Sequence, residues 1–414
     1  MTAGGSRANL LVVGAGPAGL AAAIEARHRG VGRVIVLDRE AQAGGVPHYT
    51  QHIGYGARDL HRVLSGPAYA RRYADLARQA GVEVLEATSA IDWEGPTHVL
   101  TTSRDGLRSW QADAILLATG CRERPRTARL VPGDRPAGIF TTGSLQRFGD
   151  AHDLPIGHRA VVVGAEHVSF SAVHTLLRHG VEVAAVVTDL PGPQTFRALR
   201  LATTDWHKVP VVTRATVAAI TGRPRVTGVR LRRDGGLIAE IACDTVVFTG
   251  DWIPDNELAR LADLPLDRGT RGPVTDQWLR TPVAAIFAAG NLVHAAESAD
   301  VAALTGRHAA VAIASYLDGV PWPGDPALPV RVEPPLRWVF PARIRPGDGP
   351  PPRGRFVLRA GTVADRARLL VRQGTRTLHA TPRQRYTPHR SISLPAHWID
   401  DVLPDRGDIT ISLG

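Results

Sequence analysis

One stretch of the sequence, residues 10–38, constrains the fold more than any other and reads LLVVGAGPAGLAAAIEARHRGVGRVIVLD. A short apolar run predicts a buried strand, and Gly14, Gly16 and Gly19 follow it at G-x-G-x-x-G spacing. An alanine-rich helical pattern comes next, and a second apolar run ends at Asp38. Strand, glycine turn, helix, strand and terminal acid in this order predict a Rossmann-type βαβ unit with a dinucleotide-binding turn.

The three glycines have different predicted roles. Gly14 allows the tight turn, Gly16 leaves room for a pyrophosphate to approach the backbone, and Gly19 lets the helix pack closely on the strand. The first turn of the helix then presents free N–H groups and a positive dipole to the phosphates. Asp38 is placed to accept hydrogen bonds from an adenosine ribose.

Length and composition limit the alternatives. The 414 residues predict two or three domains, and no charge-free apolar run approaches the roughly 20 residues that a membrane-spanning helix needs. The first residues run directly into the predicted strand without a cleavable signal peptide, so we expect a cytoplasmic protein. The only cysteines, Cys121 and Cys243, are far apart in the sequence. We therefore expect no metal site and no iron–sulfur cluster.

The formal net charge of +10 is concentrated near the end of the chain. From Arg331 onward there are 15 Arg residues but only 7 Asp and Glu residues, an excess of eight positive charges. A solvated basic face, or a face that docks an acidic partner, explains this local excess better than nucleic-acid binding does. We therefore expect no nucleic-acid partner.

Two later segments extend the dinucleotide-binding pattern. One predicted strand ends in the turn 118–120, which reads Ala-Thr-Gly, and a strand-loop at 285–291 reads AIFAAGN. Together with the first glycine turn and Asp38, these segments resemble the two-dinucleotide-binding-domain flavoproteins, the FAD-dependent pyridine nucleotide-disulfide oxidoreductase superfamily. In that family the first segment closes the first pass through the FAD domain, and the second returns the chain to it beside the flavin. The last motif usually ends in Gly-Asp, so Asn291 is a departure.

The resemblance implies one tightly but non-covalently bound FAD. An amide at position 291 can still bond the ribityl hydroxyls or a phosphate, and a helix predicted at 301–317 is implied to direct its N-terminus at the flavin, with Ser298 or Asp300 as its cap. The residues implied to hold FAD are Gly14, Gly16, Pro17, Ala18, Gly19, Asp38, Arg39, Gly45, Ala118, Thr119, Gly120, Gly290, Asn291 and Ala299.

Further segments narrow the resemblance to one branch. Segments 120–125 (GCRERP) and 136–143 (PAGIFTTG) are similar to the FAD subunits of heteromeric opine and amino-acid oxidases, hydrogen cyanide synthase, and the flavoprotein partner of anaerobic glycerol-3-phosphate dehydrogenases. Segments 44–47 and 64–70 also resemble this last group. The branch implies a small-molecule substrate and a second dehydrogenase subunit, with a homo-oligomer as the alternative. The arginines of segment 120–125 either tie two domains together or lie near the FAD phosphates.

A second βαβ pattern begins at 160–164 and reaches a strand at 183–187. The family binds NAD(P)H at this position, but here Glu166 replaces the second glycine and Ser169 replaces the third. An ionised Glu166 about 5 Å from a pyrophosphate charge would raise the energy by about 3 kcal/mol at an effective dielectric of about 20. Two interpretations stay open: a structural Rossmann domain that binds no nucleotide, and NAD(P) bound in an altered pose.

The predicted flavin face lacks sulfur. In disulfide reductases of the superfamily the redox cysteines follow the position of residues 44–45, but segment 46–52 reads VPHYTQH. Electron relay through a disulfide is therefore excluded. His48 and His52 are candidate catalytic residues that handle protons near the flavin, because imidazoles titrate near neutrality. The alternative is that both histidines hydrogen-bond loop carbonyls.

The end of the chain forms a separate predicted part. The proline-rich segment 320–329 predicts a linker, and residues 330–414 predict a small arginine-rich, β-rich domain. Its core is expected to contain Trp338, Val339, Phe340, Pro341 and Trp398. This domain loosely resembles the C-terminal domain of the glycerol-3-phosphate-linked branch. We interpret it as a docking or dimerisation module, with a lid over the FAD domain as the alternative.

These observations predict an α/β fold with two Rossmann-like dinucleotide-binding domains, the NAD-type inserted into the FAD-type, plus a small β-rich C-terminal domain. The FAD domain is expected at 1–125 and 270–320, the NAD(P)-like domain at 126–269 and the last domain at 330–414. The expected enzyme is an FAD-dependent oxidoreductase that transfers a hydride or an electron pair between a small substrate, NAD(P) or a partner flavoprotein. The alternative is a non-catalytic electron-transfer or scaffold subunit.

Overall fold

A computed structural model describes residues 6–233, 236–324 and 327–414. The chain divides into two compact units. The first unit consists of the chain up to His48, Ile53–Cys121 and Pro254–Gly414, and the second consists of Tyr49–His52 and Arg122–Ile253. The second unit is therefore an insertion within the first, and the predicted α/β fold with an inserted domain is confirmed.

Within the described chain, a seven-stranded sheet forms the centre of the first unit. Its first strand runs parallel to Val34–Leu37 on one side and to Gly106–Leu117 on the other. Val34–Leu37 is buried along its whole length, as expected for an all-apolar strand inside a parallel sheet. The strands of the sheet, in chain order, are Ser6–Val13, Val34–Leu37, Glu83–Leu85, Ser89–Gly95, His98–Ser103, Gly106–Leu117 and Ile286–Ala288.

Two small-residue helices of the first unit pack closely together. Helix Pro17–His28 follows the first strand, and helix Ala299–Leu317 follows the last one. A Cβ on Gly306 would lie 2.0 Å from the carbonyl oxygen of Ala18, so the second helix needs glycine at this contact. This close approach places the N-terminal halves of both helices beside the carboxyl ends of the parallel strands.

The second unit contains its own parallel sheet and a separate antiparallel sheet. In spatial order the parallel strands are Ile139–Thr141, Thr245–Phe248, Arg159–Val163, Glu182–Val187 and Val211–Val212. The antiparallel strands are Thr216–Thr221, Gly228–Arg233 and Gly236–Ala242. Helix His167–Arg178 follows Arg159–Val163, which gives the strand-turn-helix arrangement expected from the second βαβ pattern.

The C-terminal segment is rich in strands and belongs to the first unit. Its strands are Leu328–Val332, Leu336–Phe340, Arg343–Ile344, Arg355–Ala360, Ala364–Ala367, Leu369–Gln373, Arg376–Ala380, Gln384–Tyr386, Ile392–Pro395 and Ile409–Leu413. Trp398 lies in a separate hydrophobic core of this segment, as predicted. Trp338 and Phe340 instead pack in the main core of the first unit, while Val339 faces the C-terminal core, because alternate residues of a strand face opposite sides. The prediction for Trp338 and Phe340 was therefore wrong.

The segment 254–269 also differs from its predicted assignment. Leu258 and Ala259 of helix Glu257–Leu261 are buried in the main core of the first unit, and the indole N–H of Trp93 donates to the carbonyl oxygen of Leu258 at 2.9 Å. The segment therefore belongs to the first unit rather than to the inserted domain. Tyr49–His52 and residues 122–125, expected in the FAD domain, fall in the second unit. The remaining predicted boundaries are still predictions.

The remaining elements are short, apart from one helix of the first unit. The helices are Gly66–Gln79, Thr142–Gln146 and Arg197–Arg200, and the strands are Ile53–Tyr55, Leu64–Ser65, Cys121–Glu123 and Trp252–Pro254. Across the three described ranges, we find no helix with the length and apolar character needed to cross a membrane.

Candidate functional site

The first glycine turn has a different geometry at each glycine. Gly14 has a φ of +109°, and a Cβ on it would lie 2.5 Å from the carbonyl oxygen of Ala118. A Cβ on Gly19 would lie 1.9 Å from the carbonyl oxygen of Gly14, so glycine alone allows the helix to approach the strand this closely. A Cβ on Gly16 would meet none of the described residues within 4 Å. The turn is therefore open to a ligand at Gly16.

The helix after this turn provides the donors that a phosphate needs. Gly16 is its N-cap residue and Pro17 its first residue, where the missing N–H of proline is not needed. The N–H groups of Ala18 and Gly19 have no partner within the helix, because the first four amides of any helix lack one. These donors and the helix dipole favour a bound anion.

Asp38 lies at the end of the second strand and is buried. Its Oδ2 accepts a hydrogen bond from the N–H of Ala15 at 2.6 Å, and its Oδ1 accepts one from the N–H of Glu40 at 2.8 Å. Burial raises the pKa of Asp38, and these two backbone N–H groups oppose the rise. The carboxylate is thus fixed against the glycine turn, beside the position predicted for the ribose.

A glycine pair covers part of the same turn. The N–H of Gly44 donates to the carbonyl oxygen of Ala15 at 2.8 Å. Gly45 has a φ of +64°, and a Cβ on it would lie 2.9 Å from the Cα of Gly16. The pair therefore allows this loop to cross directly against the turn, and Gly45 lies with the other predicted FAD residues.

The turn 118–120 is held by a residue that the sequence analysis did not identify, Asp255. The hydroxyl of Thr119 donates to the carbonyl oxygen of Asp255 at 2.7 Å, and the N–H of Asp255 donates to the carbonyl oxygen of Gly120 at 2.9 Å. The guanidinium of Arg39 also lies 3.3 Å from a carboxylate oxygen of Asp255. Asp255 is remote in the sequence and belongs to no motif, so no sequence signal pointed to it.

The later strand-loop meets the first helix. Gly290 has a φ of +71°, and a Cβ on it would lie 2.6 Å from the Cβ of Ala18. The side-chain amide of Asn291 donates to the carbonyl oxygen of Glu297 at 3.1 Å and accepts from its N–H at 2.8 Å. Asn291 thus closes its own loop, and its contact with FAD is still a prediction. Ala299 is the first residue of the following helix.

The cap of that helix involves both candidate residues. Ser298 is the N-cap, and its hydroxyl donates to a carboxylate oxygen of Asp300 rather than capping the helix. The same oxygen of Asp300 accepts from the N–H of Val301 at 3.0 Å. A buried carboxylate therefore lies in the first turn of the helix implied to face the flavin.

The first unit fits FAD in its donor set and in its open space. Gly16 leaves the phosphate side of the turn clear, the helix N-terminus supplies N–H donors, and Asp38 supplies fixed acceptors. All fourteen predicted FAD residues belong to the first unit. Their individual roles are still predictions.

The two candidate catalytic histidines belong to different units. His48 belongs to the first unit and lies in the 3₁₀ turn Val46–Tyr49, where its N–H donates to the carbonyl oxygen of Gly45 at 3.0 Å. His52 belongs to the second unit, where its ring lies edge-to-face with that of His174 at a centroid distance of 6.2 Å. The catalytic role of both histidines is still a prediction.

The second glycine turn is filled by its own glutamate. Glu166 is 6% exposed, and its Oε2 lies 2.8 Å from the position of a Cβ on Gly164. Its Oε1 lies 3.0 Å from the position of a Cβ on Gly250 and has no hydrogen-bond partner among the described residues. The N–H of Glu166 donates to the hydroxyl of Ser169 at 3.2 Å, and that hydroxyl bonds the hydroxyl of Thr249 at 2.6 Å. Both residues that replace glycine are therefore built into the turn.

A second buried acid, which the sequence analysis did not identify, lies near Glu166. Burial raises the pKa of Glu123 to about 7; the N–H of Gly143, which donates to its Oε2 at 2.9 Å, opposes the rise, and the charge of Glu166 adds to it. The positive charge of Arg129 acts on both acids, and its guanidinium donates to the carbonyl oxygen of Gly250 at 2.6 Å. Glu123 stands between two arginines in the sequence and belongs to no spacing pattern that marks a buried acid.

Comparison with known families agrees with this arrangement. Residues 8–306 match the model of the family described as pyridine nucleotide-disulphide oxidoreductase. The match covers well over half of the chain, so the chain belongs to this family. Its members are flavoproteins that bind FAD and act as oxidoreductases. The predicted cofactor FAD and the predicted enzyme class are therefore confirmed.

Individual relatives agree with the predicted branch. The chain is 29% identical to an opine oxidase subunit of Agrobacterium tumefaciens (strain Ach5) over 73% of its own length and 65% of that protein. It is 28% identical to the alpha subunit of sarcosine oxidase from Rhizobium meliloti (strain 1021) over 61% of its own length and 25% of that protein. The chain thus spans less than two thirds of these relatives. The predicted resemblance to subunits of heteromeric oxidases is confirmed.

Among solved structures, the chain is similar to T. acidophilum thioredoxin reductase, with a TM-score of 0.63 and 22% sequence identity. The superposition covers 75% of this chain and 98% of that one. At this identity the similarity shows the fold alone.

Proposed function

We propose that this flavoprotein passes a hydride or an electron pair directly between FAD and a small-molecule substrate, NAD(P)(H) or a partner flavoprotein, with no disulfide in the relay. One observation carries the proposal: the 414 residues contain only Cys121 and Cys243, and the loop 44–52 contains neither. Neither cysteine forms a disulfide, and burial raises the pKa of the Cys243 thiol to about 11. A thiol with so high a pKa is a poor nucleophile at neutral pH.

The residues of the first unit would have separate tasks. When bound, FAD supplies the acceptor and donor of two electrons. The amides at the start of Pro17–His28 would bind its phosphates, and Asp38 would accept from the ribose. His48 would hold or move the proton that accompanies the electron pair, since neutral imidazole is both a donor and an acceptor. His52, which belongs to the second unit, is the other candidate for this task.

The structure of the second turn supports one of the two interpretations of the NAD(P)-like domain. The carboxylate of Glu166 occupies the space against Gly164 and Gly250 where nucleotide phosphates bind in a functional turn of this type. We therefore favour a structural Rossmann domain. In a titration, we expect NAD(P)H to bind only weakly. Electrons would then pass to or from a partner more readily than to NAD(P).

The experiment tests whether reduction of the flavin requires either cysteine. The purified protein is titrated without air with NADH, with NADPH and with a set of small amino-acid and hydroxy-acid substrates, and bleaching of the flavin is recorded. The same titration is made with the double variant Cys121→Ser and Cys243→Ser. We expect equal rates and extents of flavin reduction. A colourless protein that binds no FAD, or loss of flavin reduction in the double variant, would contradict the proposal.

A second candidate, a non-catalytic electron-transfer or scaffold subunit, is favoured by the relatives named as oxidase subunits. In this candidate the arginine-rich C-terminal strands dock the second subunit, or a second copy of the chain. Arg372 of strand Leu369–Gln373 and Arg368, just before the strand, are both exposed. They are four residues apart, so they project from the same face. A location in the cytoplasm also stays part of the proposal.

Deleting residues 330–414 would not test docking, because Trp338 and Phe340 belong to the core of the first unit. Reversing the charge of exposed arginines tests docking without removing these core residues. We expect Arg368→Glu with Arg372→Glu to lose a co-purifying subunit, or a homo-oligomeric mass, while the FAD content is unchanged. The control is Arg232→Glu with Arg233→Glu, which changes two exposed residues of strand Gly228–Arg233 in the second unit. If both double variants retain the partner equally, Arg368 and Arg372 do not dock it.

A further inference from the structure

A cavity of about 180 Å³ lies in the first unit, between the helix Ala299–Leu317 and the C-terminal strands. Its size is similar to that of an engineered cavity of about 150 Å³ that accommodates benzene. The residues that matter for its chemistry are Arg58, His294, Val301, Phe340, Arg353 and Ile392. Three of these six residues lie beyond residue 306, so the family match does not account for this cavity.

A fully buried imidazole forms part of the cavity wall. His294 is 2% exposed, and its ring lies between Phe340 and Trp338 at centroid distances of 4.4 and 5.4 Å. Burial, with a smaller effect of the Arg359 charge, lowers the pKa of His294 to about 3. The ring is therefore neutral at physiological pH. Its Nδ1 has no hydrogen-bond partner in the described parts of the chain, which leaves a buried polar atom for a ligand to satisfy.

Positive charge is in excess around this cavity. Arg58 lies 3.8 Å from Asp300, and the Arg355 guanidinium donates to the hydroxyl of Ser393 at 3.1 Å. Arg353 makes no ion pair with any described residue, and the charges of Arg58 and Arg355 act on it against those of Glu297 and Asp300. The guanidinium groups of Arg58 and Arg353 line the same cavity, where like charges repel one another and a bound anion between them reduces this repulsion.

The nearby acids are already engaged. The buried Arg359 lies 3.8 Å from Glu297, and the hydroxyl of Ser391 donates to the same carboxylate. Asp300 accepts from Ser298 and from the backbone of the helix. The arginines around the cavity outnumber these two carboxylates by two positive charges, so the surroundings favour an anion. The apolar residues in the cavity wall favour an organic anion over inorganic phosphate.

We propose that this cavity binds a small organic carboxylate, with its carboxylate group between Arg58 and Arg353 and its apolar part against Val301, Phe340 and Ile392. Guanidinium groups bind carboxylates through paired, charge-assisted hydrogen bonds. The apolar wall excludes water from the rest of the ligand, which contributes roughly 25 cal/mol per Å² of apolar surface buried. The inference goes beyond the proposed function and does not depend on it.

The test is calorimetric titration of the full-length, FAD-loaded protein with acetate, 4-methylpentanoate and benzoate. We expect saturable binding of the two larger carboxylates, weaker binding of acetate, and no binding of the neutral 4-methylpentanamide. Arg353→Met should weaken binding of 4-methylpentanoate at least tenfold, and Arg353→Lys should restore part of the loss. The control Arg385→Met removes an exposed arginine from strand Gln384–Tyr386, which does not line the cavity, and should leave binding unchanged.

Each alternative result is decisive. The inference is overturned if none of the three carboxylates binds, if the amide binds as tightly as its acid, or if Arg353→Met binds like the wild type. Inorganic phosphate that binds more tightly than 4-methylpentanoate would also overturn it, by showing a phosphate site. FAD content and the far-ultraviolet circular dichroism of each variant show that it is folded. The result is separate from the proposed function, because binding is measured without any electron transfer.

Discussion

The two glycine turns of this protein lie in the same structural position of two Rossmann-like domains. In each, a glycine with a positive φ follows a strand and precedes a helix, Gly14 with +109° and Gly164 with +127°. Two residues later the turns differ. A Cβ on Gly16 would meet no described residue within 4 Å, whereas Glu166 folds its carboxylate back over its own turn. The first turn is open to a phosphate, and the second is occupied by an anion of the chain itself.

This difference separates the requirements of the fold from those of the ligand. Both turns keep the glycine that the strand-to-helix geometry needs, because the backbone there has a positive φ in either domain. Ser169, at the third glycine position, is accommodated by its hydrogen bonds with Glu166 and Thr249. A Rossmann-like domain therefore tolerates loss of its phosphate site as long as the new side chains find partners inside the turn.

The strongest test of this comparison is to place a glutamate, as found in the second turn, at position 16 of the first turn. We expect Gly16→Glu to weaken FAD binding by about a hundredfold or more, since a carboxylate about 5 Å from a phosphate charge is worth about 3 kcal/mol of repulsion. The measurement is the FAD content of the purified protein and its dissociation constant. Gly16→Ala adds a Cβ without charge and should lose much less. A full complement of FAD in Gly16→Glu would show that this turn does not hold the phosphates.

Glu123, the buried acid near the second turn, should also affect the free energy of unfolding. The pKa of Glu123 is about 7 in the folded protein against an ordinary value of 4.5, so the folded state binds more protons. Its contribution to the free energy of unfolding therefore falls as the pH rises from about 4.5 through about 7. We expect Glu123→Gln to stabilise the protein by roughly 2 kcal/mol at about pH 8 and to have little effect at about pH 5.

Thermal melts at the two pH values check this prediction for Glu123. The control is Glu240→Gln, which removes an exposed carboxylate from a strand of the same unit. It should change the melting temperature little at either pH, because exposed ion pairs contribute little. An equal effect of Glu123→Gln at both pH values would contradict the raised pKa.

Asp38, which contacts the first glycine turn, provides a test with a smaller expected effect. We expect Asp38→Ala to weaken FAD binding about tenfold, or about 1.4 kcal/mol, because the ribose loses its acceptor and the N–H of Ala15 loses its partner. Asp105→Ala, in an exposed hairpin turn of the same unit, is the control. If both variants hold FAD equally tightly, Asp38 serves only to fix the turn.

Periodic patterns allowed much of the fold to be predicted. The strand expected at 10–13 ends at Val13 as observed, and the helix expected at 301–317 is Ala299–Leu317. Such elements depend on local apolar spacing and on glycine positions, which are visible in the sequence. The C-terminal β segment was also expected. The division of Leu336–Phe340 between two cores was not, because it depends on what packs on each face of the strand.

Side-chain directions were harder to predict than elements. The amide of Asn291 bonds the backbone of Glu297, and Asp255 holds the turn 118–120 from a position more than a hundred residues away. Neither contact has a spacing rule, because each depends on tertiary placement and on one rotamer. The sequence showed that Glu166 replaces a glycine, but only the structure shows its carboxylate lying over the turn.

The smallest expected effect comes from opening the second turn. We expect Glu166→Gly to improve the apparent affinity for NAD(P)H about fivefold, since solvent and the charge of Arg129 reduce the repulsion of about 3 kcal/mol roughly threefold. The measurement is the NAD(P)H concentration that half-reduces the flavin without air, with Glu240→Gln as the charge-matched control. A low-micromolar constant in the wild type that Glu166→Gly makes weaker would show that Glu166 helps to bind the nucleotide. The second domain would then be a nucleotide site with an altered pose, and the contrast between the two turns would be one of geometry rather than of occupancy.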